Sequence, residues 1–182
     1  MHLVTSVLFL PSLLPMLKTS SQKALLRGYL FASLSLYIAK GKPALEIKAL
    51  YESTAVIPSP PKNASAPNKK AIAADGLKIG IDTNANTWPN PWFAILQSAI
   101  LHPDEHVAKI QRALAHGAAH YGAPLKDWAK MIGKNGVSFG LEGVETLDET
   151  LYVRVAALTA EKVGWVREGD EPADWDRDGF FN

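Results

Sequence analysis

Residues 100–122, ILHPDEHVAKIQRALAHGAAHYG, constrain the fold more than any other stretch, because both ends of a helix are written into them. His102 or Leu101 takes the cap, and Pro103 stands at the first helical position, where its missing N–H costs nothing. Asp104 and Glu105 follow in the first turn, where the helix dipole favours negative charge. Gly122 and Pro124 supply the stop. Val107, Ile110, Leu114, Ala118 and Tyr121 recur at spacings of three and four, which is one helical face. Four of the five histidines lie here, as the i, i+4 pairs His102/His106 and His116/His120.

The flanking segments read as helices as well. SSQKALLRGYLFASLSLYIAK (20–40) is capped by Ser20 or Ser21, ended by Gly41 and Pro43, and apolar over so much of its circumference that it reads as buried. ALEIKALY (44–51) adds one or two turns. PWFAILQSAIL (91–101) opens with Asn90 as cap and Pro91 first, its apolar face being Trp92, Phe93, Leu96 and Ile100. PLKDWAKMI (124–132) is a short helix, and DETLYVRVAALTAEKV (148–163) is capped by Asp148, stopped at Gly164, and faces inward with Leu151, Val155, Leu158 and Val163. The aromatic-rich tail after Gly164 straps across the surface. Between residues 52 and 88 four prolines stand among Ser, Asn and Lys, so this is a loop with little to pack. LKIGI (77–81) is the only alternating stretch, extended but without a partner strand. The fold class is therefore all-α: an irregular bundle of about five to seven helices in one domain, 1–182, with one long Pro-rich loop.

Composition closes several routes. A formal charge of +1 with 20% charged residues gives no global field for nucleic acid or a membrane surface, so neither is an expected partner. The absence of cysteine removes disulfides, thiolate metal sites and cysteine nucleophiles, and fits a cytoplasmic location. MHLVTSVLFLPSLLPMLK is apolar but too short to span a bilayer. It reads as a core helix, with a targeting segment as the other reading. The sequon at Asn63 matters only in a secreted chain.

Several motifs fail on context. Asp174–Gly179 opens like a calcium loop, but the chain ends at Asn182, before the glutamate such a loop needs. GVSFG (136–140) has the letters of a nucleophile elbow with no preceding strand. GLKIGI lacks the third glycine of a dinucleotide fingerprint. The histidine pairs suit two ligands each, yet His106 and His116 stand about 15 Å apart by helical rise, and no third ligand is spaced beside them. No metal is therefore assigned. Arg112 and Arg154, inside helices, are expected to pair with Asp104, Glu105 or Glu161.

Four stretches carry a resemblance: RGYLFASLSLYIAKGKP (27–43), NPWFAILQSAILHPDEHVAKIQRALAH (90–116), LDETLYVRVAALTAEKVGW (147–165) and WDRDGFF (175–181). Together they resemble the C-terminal half of the questin oxidase-like family of fungal and bacterial oxidoreductases. The resemblance implies a Baeyer–Villiger-type oxidation of an aromatic polyketide intermediate of anthraquinone type, with NADPH as cofactor and dioxygen as co-substrate. It also implies a chain truncated relative to the family, or a degenerate copy of it, whose site would be incomplete without the N-terminal half; the partner expected is that missing half or a second copy of the chain. His102, Asp104, His106, Lys109 and Arg112 are the polar residues of the matching motif. On this reading His106, His120 and His102 are the catalytic candidates. His116, Arg112, Asp104 and Lys109 are the substrate-binding ones, with the small aromatic substrate laid against the His116/His120 face. The rival expectation is a non-catalytic helical module or pseudoenzyme that docks on a partner chain.

Overall fold

Proline and glycine punctuation sets most of the helix boundaries in this computed structural model, which describes residues 2–56, 90–134 and 141–175. LKIGI, GVSFG, the sequon and all but the first two residues of the 174–179 motif lie outside the described residues. Among the described residues there is no strand, and the chain is all-α. It separates into two compact units, residues 1–45 with 175–182, and residues 46–174.

In the first unit Pro11 and Pro15 break residues 2–16 into short pieces: α1 (His2–Ser6), a 3-10 turn, α2 (Leu10–Leu13) and a second 3-10 turn, Leu14–Met16. They lie along α3 (Thr19–Ala39), held by Gln22, whose side-chain amide donates to the Leu14 and Leu17 carbonyls at 2.8 and 3.0 Å. The Tyr29 hydroxyl donates to the Leu3 carbonyl. No side chain caps α3; Lys18 occupies that position, in place of Ser20 or Ser21. At the other end Gly41 (φ 90°) and Lys42 (φ 51°) turn the chain out, as the Gly-x-Pro signal predicts. The expectation of a buried helix fails: no residue of α3 is buried. Residues 3–17 cover only the line of Gln22, Leu25, Tyr29 and Ser33.

The second unit contains α4 (Ile47–Ser53), α5 (Trp92–Leu101), α6 (Glu105–Lys134) and α7 (Leu151–Val163). Asn90 caps α5 as expected, its Oδ1 accepting from the Trp92 N–H at 3.0 Å. Asp148 caps α7, its Oδ1 accepting from the Thr150 N–H at 2.8 Å. Helix α6 departs from the sequence reading at both ends. Its cap is Asp104 rather than His102 or Leu101, which leaves Pro103 outside. It also runs through Gly122 and Pro124 without a stop, so 124–132 is no separate helix. The physical reason lies across the interface. A Cβ at Gly122 would stand 3.4 Å from the Glu149 side chain, and Lys126 reaches Glu149 at 2.7 Å. Gly122 thus serves close packing, and the packing holds the helix across the one hydrogen bond that Pro124 forfeits.

The core also inverts the expected faces. On α5 the buried residues are Ala94, Ile95, Ser98 and Ala99, while Phe93 and Ile100 are exposed. On α7 they are Val153, Ala156, Ala157, Ala160 and Val163, with Leu151, Val155 and Leu158 only half-buried. On α6 Val107, Ile110 and Leu114 face in as expected, but Tyr121 is exposed and Gln111, Ala113 and Gly117 take the rest of the stripe. Small residues let these helix backbones approach closely, and Gly117 shows how closely: a Cβ there would fall 2.4 Å from Tyr152 Cε1. Beyond α7, Gly164 (φ 99°) turns the chain into the expected strap. Its anchor is Trp165, 1% exposed, and the Ala173 N–H returns to the Val163 carbonyl at 2.8 Å.

Candidate active site

The α5–α6 junction gathers the polar residues of the HPDEH motif. His102, which ends α5, is 8% exposed, and both ring nitrogens are engaged by backbone. Nδ1 accepts the Asp104 N–H at 3.0 Å, so Nε2 carries the ring proton and donates it to the Val163 carbonyl at 3.1 Å. This histidine ties the start of α6 to the end of α7. Its role is to hold Asp104 in place, and it offers no nitrogen to a substrate.

Asp104 does two things with one oxygen. Oδ1 accepts the His106 N–H at 2.9 Å, the capping bond of α6, and also the His106 ring at Nδ1, 2.7 Å away. Donation of Nδ1–H to the carboxylate fixes the tautomer and leaves the basic lone pair of the neutral ring on Nε2. The His106 side chain is 35% exposed, accessible from solvent yet fixed in orientation. A carboxylate-oriented imidazole at a surface helix terminus is equipped to take a proton from a bound molecule.

The other predicted residues fall elsewhere on α6. Lys109 pairs with Glu105 at 2.6 Å, and that contact holds the Glu105 carboxyl below its usual range. Arg112 is exposed, and Glu105 is committed to Lys109 instead. The His116 and His120 rings lie tilted at 44° with centroids 4.3 Å apart, on the same outward side as Lys109 and Arg112. Because α6 is continuous, His120 stands fourteen residues from His106, about 21 Å along the axis. One small molecule cannot use both. Among the described residues no three His, Asp or Glu side chains gather as a metal site would need.

Two further polar clusters were not anticipated from sequence. Arg154 does not pair with Glu161. It donates from Nη1 to the Tyr51 carbonyl at 3.2 Å and to the Thr54 carbonyl, lies 4.6 Å over the Tyr51 ring, and so closes the C-terminal end of α4. Tyr51 and Asp148 exchange hydrogen bonds at 3.1 and 3.0 Å. Burial pushes the Tyr51 hydroxyl up, while Asp148 is held low: burial opposes ionisation, but bonds from Thr150 and Tyr51 and the nearby Arg154 outweigh it. In the second cluster Glu168 lies beside Ser98, and burial pushes its carboxyl up to about 7 against the pull of Arg167. Glu168 Oε2, Trp165 Nε1 and Gln111 Oε1 are buried without hydrogen-bond partners. Gln111, 0% exposed, donates to the Ala156 carbonyl at 2.9 Å. Its signal in the sequence was a polar residue one position from Ile110 on an otherwise apolar stripe.

A family model described as Questin oxidase-like matches residues 1–114, which include His102, Asp104, His106, Lys109 and Arg112. The match takes in the Pro-rich stretch and stops within α6, so the 147–165 and 175–181 stretches lie beyond it. No curated protein and no solved structure matches the chain.

Proposed function

Since the chain belongs to this questin oxidase-like family, we propose that it is an oxidoreductase that oxidises an aromatic, anthraquinone-type polyketide intermediate with dioxygen, and that His106 is its general base. The observation that supports the role is the 2.7 Å contact between His106 Nδ1 and Asp104 within the matched segment. A phenolic hydroxyl placed at Nε2 would pass its proton to the imidazole, and Asp104 would stabilise the imidazolium that forms. The resulting phenolate is electron-rich and gives up an electron to dioxygen, the oxidant, more readily than the neutral phenol does. His102 is a positioning residue in this scheme, because it orients the backbone N–H of Asp104. Arg112, six residues from His106 and about 9 Å along α6, is left as a contact for the substrate's polar rim, while His116 and His120 stand too far along the helix to touch the same molecule.

NADPH, which the family reading calls for as reductant, finds no fitting cradle among the described residues. A pyrophosphate seeks a helix opened by a glycine turn or a cluster of cations. Here Asn90-Pro91, Asp104 and Asp148 open the principal helices of the second unit, the positive-φ glycines Gly41, Gly164 and Gly169 close helical turns, and Gly143 opens only the three-residue turn Val144–Thr146, against the Lys48 backbone and with Glu145 in its first turn.

The test is oxygen uptake by the purified chain with NADPH and a hydroxylated anthraquinone. His106→Ala is expected to lower turnover by about 10²–10⁴-fold, the range for loss of a general base. Asp104→Asn is expected to lower it less, with unchanged far-UV circular dichroism in both. Undiminished turnover in His106→Ala would remove the assignment.

A further inference from the structure

Charge in this chain is divided unevenly. Residues 1–45 carry Lys18, Lys23, Arg27, Lys40 and Lys42 and contain no aspartate or glutamate, so with a total of +1 the remaining residues carry −4. The tail residues grouped with them, 175–182, contribute Asp176, Arg177 and Asp178, leaving that unit at +4. All five cations of 1–45 are exposed. Beside them lies apolar surface of a kind a soluble monomer rarely leaves uncovered. Leu26, Leu30, Leu34 and Ile38 stand four apart on α3, with Phe31 (74% exposed) alongside, and Phe9 and Met16 (83%) add to it from the preceding turns. Lys23 and Arg27 share the outward side of α3 with Leu30 and Leu34.

We propose that residues 1–45 dock on an anionic lipid bilayer surface, with the Leu26–Ile38 line in the acyl boundary and the lysines and Arg27 at the headgroups. Charge selects this occupant over a second copy of the chain. Two copies meeting on this face would bring together fields of the same sign, with no acidic residue in 1–45 of either to relieve them. An anionic bilayer supplies both the apolar phase and the opposite charge, and long basic side chains reach the headgroups while their stems stay in the apolar layer. Docking lies in the plane of the surface. No helix among the described residues is long and apolar enough to cross a membrane.

Flotation of the full chain with vesicles of phosphatidylcholine, alone or with about 30 mol% phosphatidylserine, tests this. The chain should float with the phosphatidylserine vesicles, stay behind with phosphatidylcholine alone, and be released at about 0.5 M salt, where screening is nearly complete. Leu30→Glu/Phe31→Glu and, separately, Lys23→Glu/Arg27→Glu should each weaken binding about ten-fold or more, with unchanged far-UV circular dichroism, since all four side chains are exposed. Failure of the folded wild-type chain to float, or binding by either variant at the wild-type level, overturns the proposal. So does a lipid-free dimer, by light scattering, that Leu30→Glu/Phe31→Glu dissolves, because it assigns the face to a second copy.

Discussion

Glu168 is the residue whose ionisation the second unit controls most directly. Unfolded, it titrates near 4.5; folded, burial beside Ser98 holds the proton to about pH 7. The folded state therefore gains stability from the raised value below 4.5 and loses it progressively as pH climbs to 7, above which nothing of it remains. Glu168→Gln lacks this dependence. Urea unfolding should show the variant gaining on the wild type by up to about 3 kcal/mol between pH 5 and pH 8; a pH-independent difference would contradict the burial argument. Gln111 gives a different case, since its Oε1 accepts nothing. The Ala156 carbonyl it contacts belongs to helix α7, so Gln111→Met should fold within about 1 kcal/mol of wild type. A loss above about 2 kcal/mol would show that Oε1 has a partner. Of the candidate-site residues, Asp104 and His106 were legible in sequence as polar members of the HPDEH segment, but their pairing was not, because it depends on the turn into α6. His102 was read as the cap of α6 and, from the resemblance, as a catalytic candidate; both ring nitrogens instead bond to backbone. Its second bond goes to Val163, sixty-one residues away, and no local pattern encodes that.

At the scale of helices, the contrast between two glycines is instructive. At Gly117 an added Cβ meets Tyr152 at 2.4 Å, whereas at Gly28 it meets nothing within 4 Å. Both lie inside helices, where alanine is favoured by about 0.5–1 kcal/mol. Gly28→Ala should therefore raise stability, while Gly117→Ala should lower it by about 1–2 kcal/mol net, because the Tyr152 ring must move. Thermal melts of both variants check this, and a stabilising Gly117→Ala would mean that the ring yields freely. The same close packing explains which parts of the fold the sequence disclosed. Helix existence, the Asn90 and Asp148 caps and the Gly41 and Gly164 exits followed from local chemistry. The buried faces did not, because they were read from large apolar residues, while α5, α6 and α7 meet through Ala94, Ala99, Ala113, Gly117, Ala156 and Ala160. Gly122 was read as a stop for the same reason: the Glu149 backbone beside it is invisible to a local pattern.

At the scale of the whole molecule, the two units differ in what holds them. No described residue of 2–45 is buried, while Ile95, Gln111, Ala156 and Trp165 are almost wholly enclosed within 46–174. A segment of some 45 residues without a core is marginal by itself. Heating without lipid should therefore diminish the far-UV circular dichroism of α3 before the fluorescence of Trp92, Trp128 and Trp165 changes. Coincident transitions would show that the two units unfold as one. Continuity of α6 through Leu114 also bears on inheritance. The family match ends at that residue, yet the groups that hold the matched turns, Ala156 for Gln111 and Val163 for His102, are encoded after it. A gene fusion that kept only residues 1–114 would inherit the Asp104–His106 pair without its clamp, so the coding sequence as far as Ala173 has to be inherited with it.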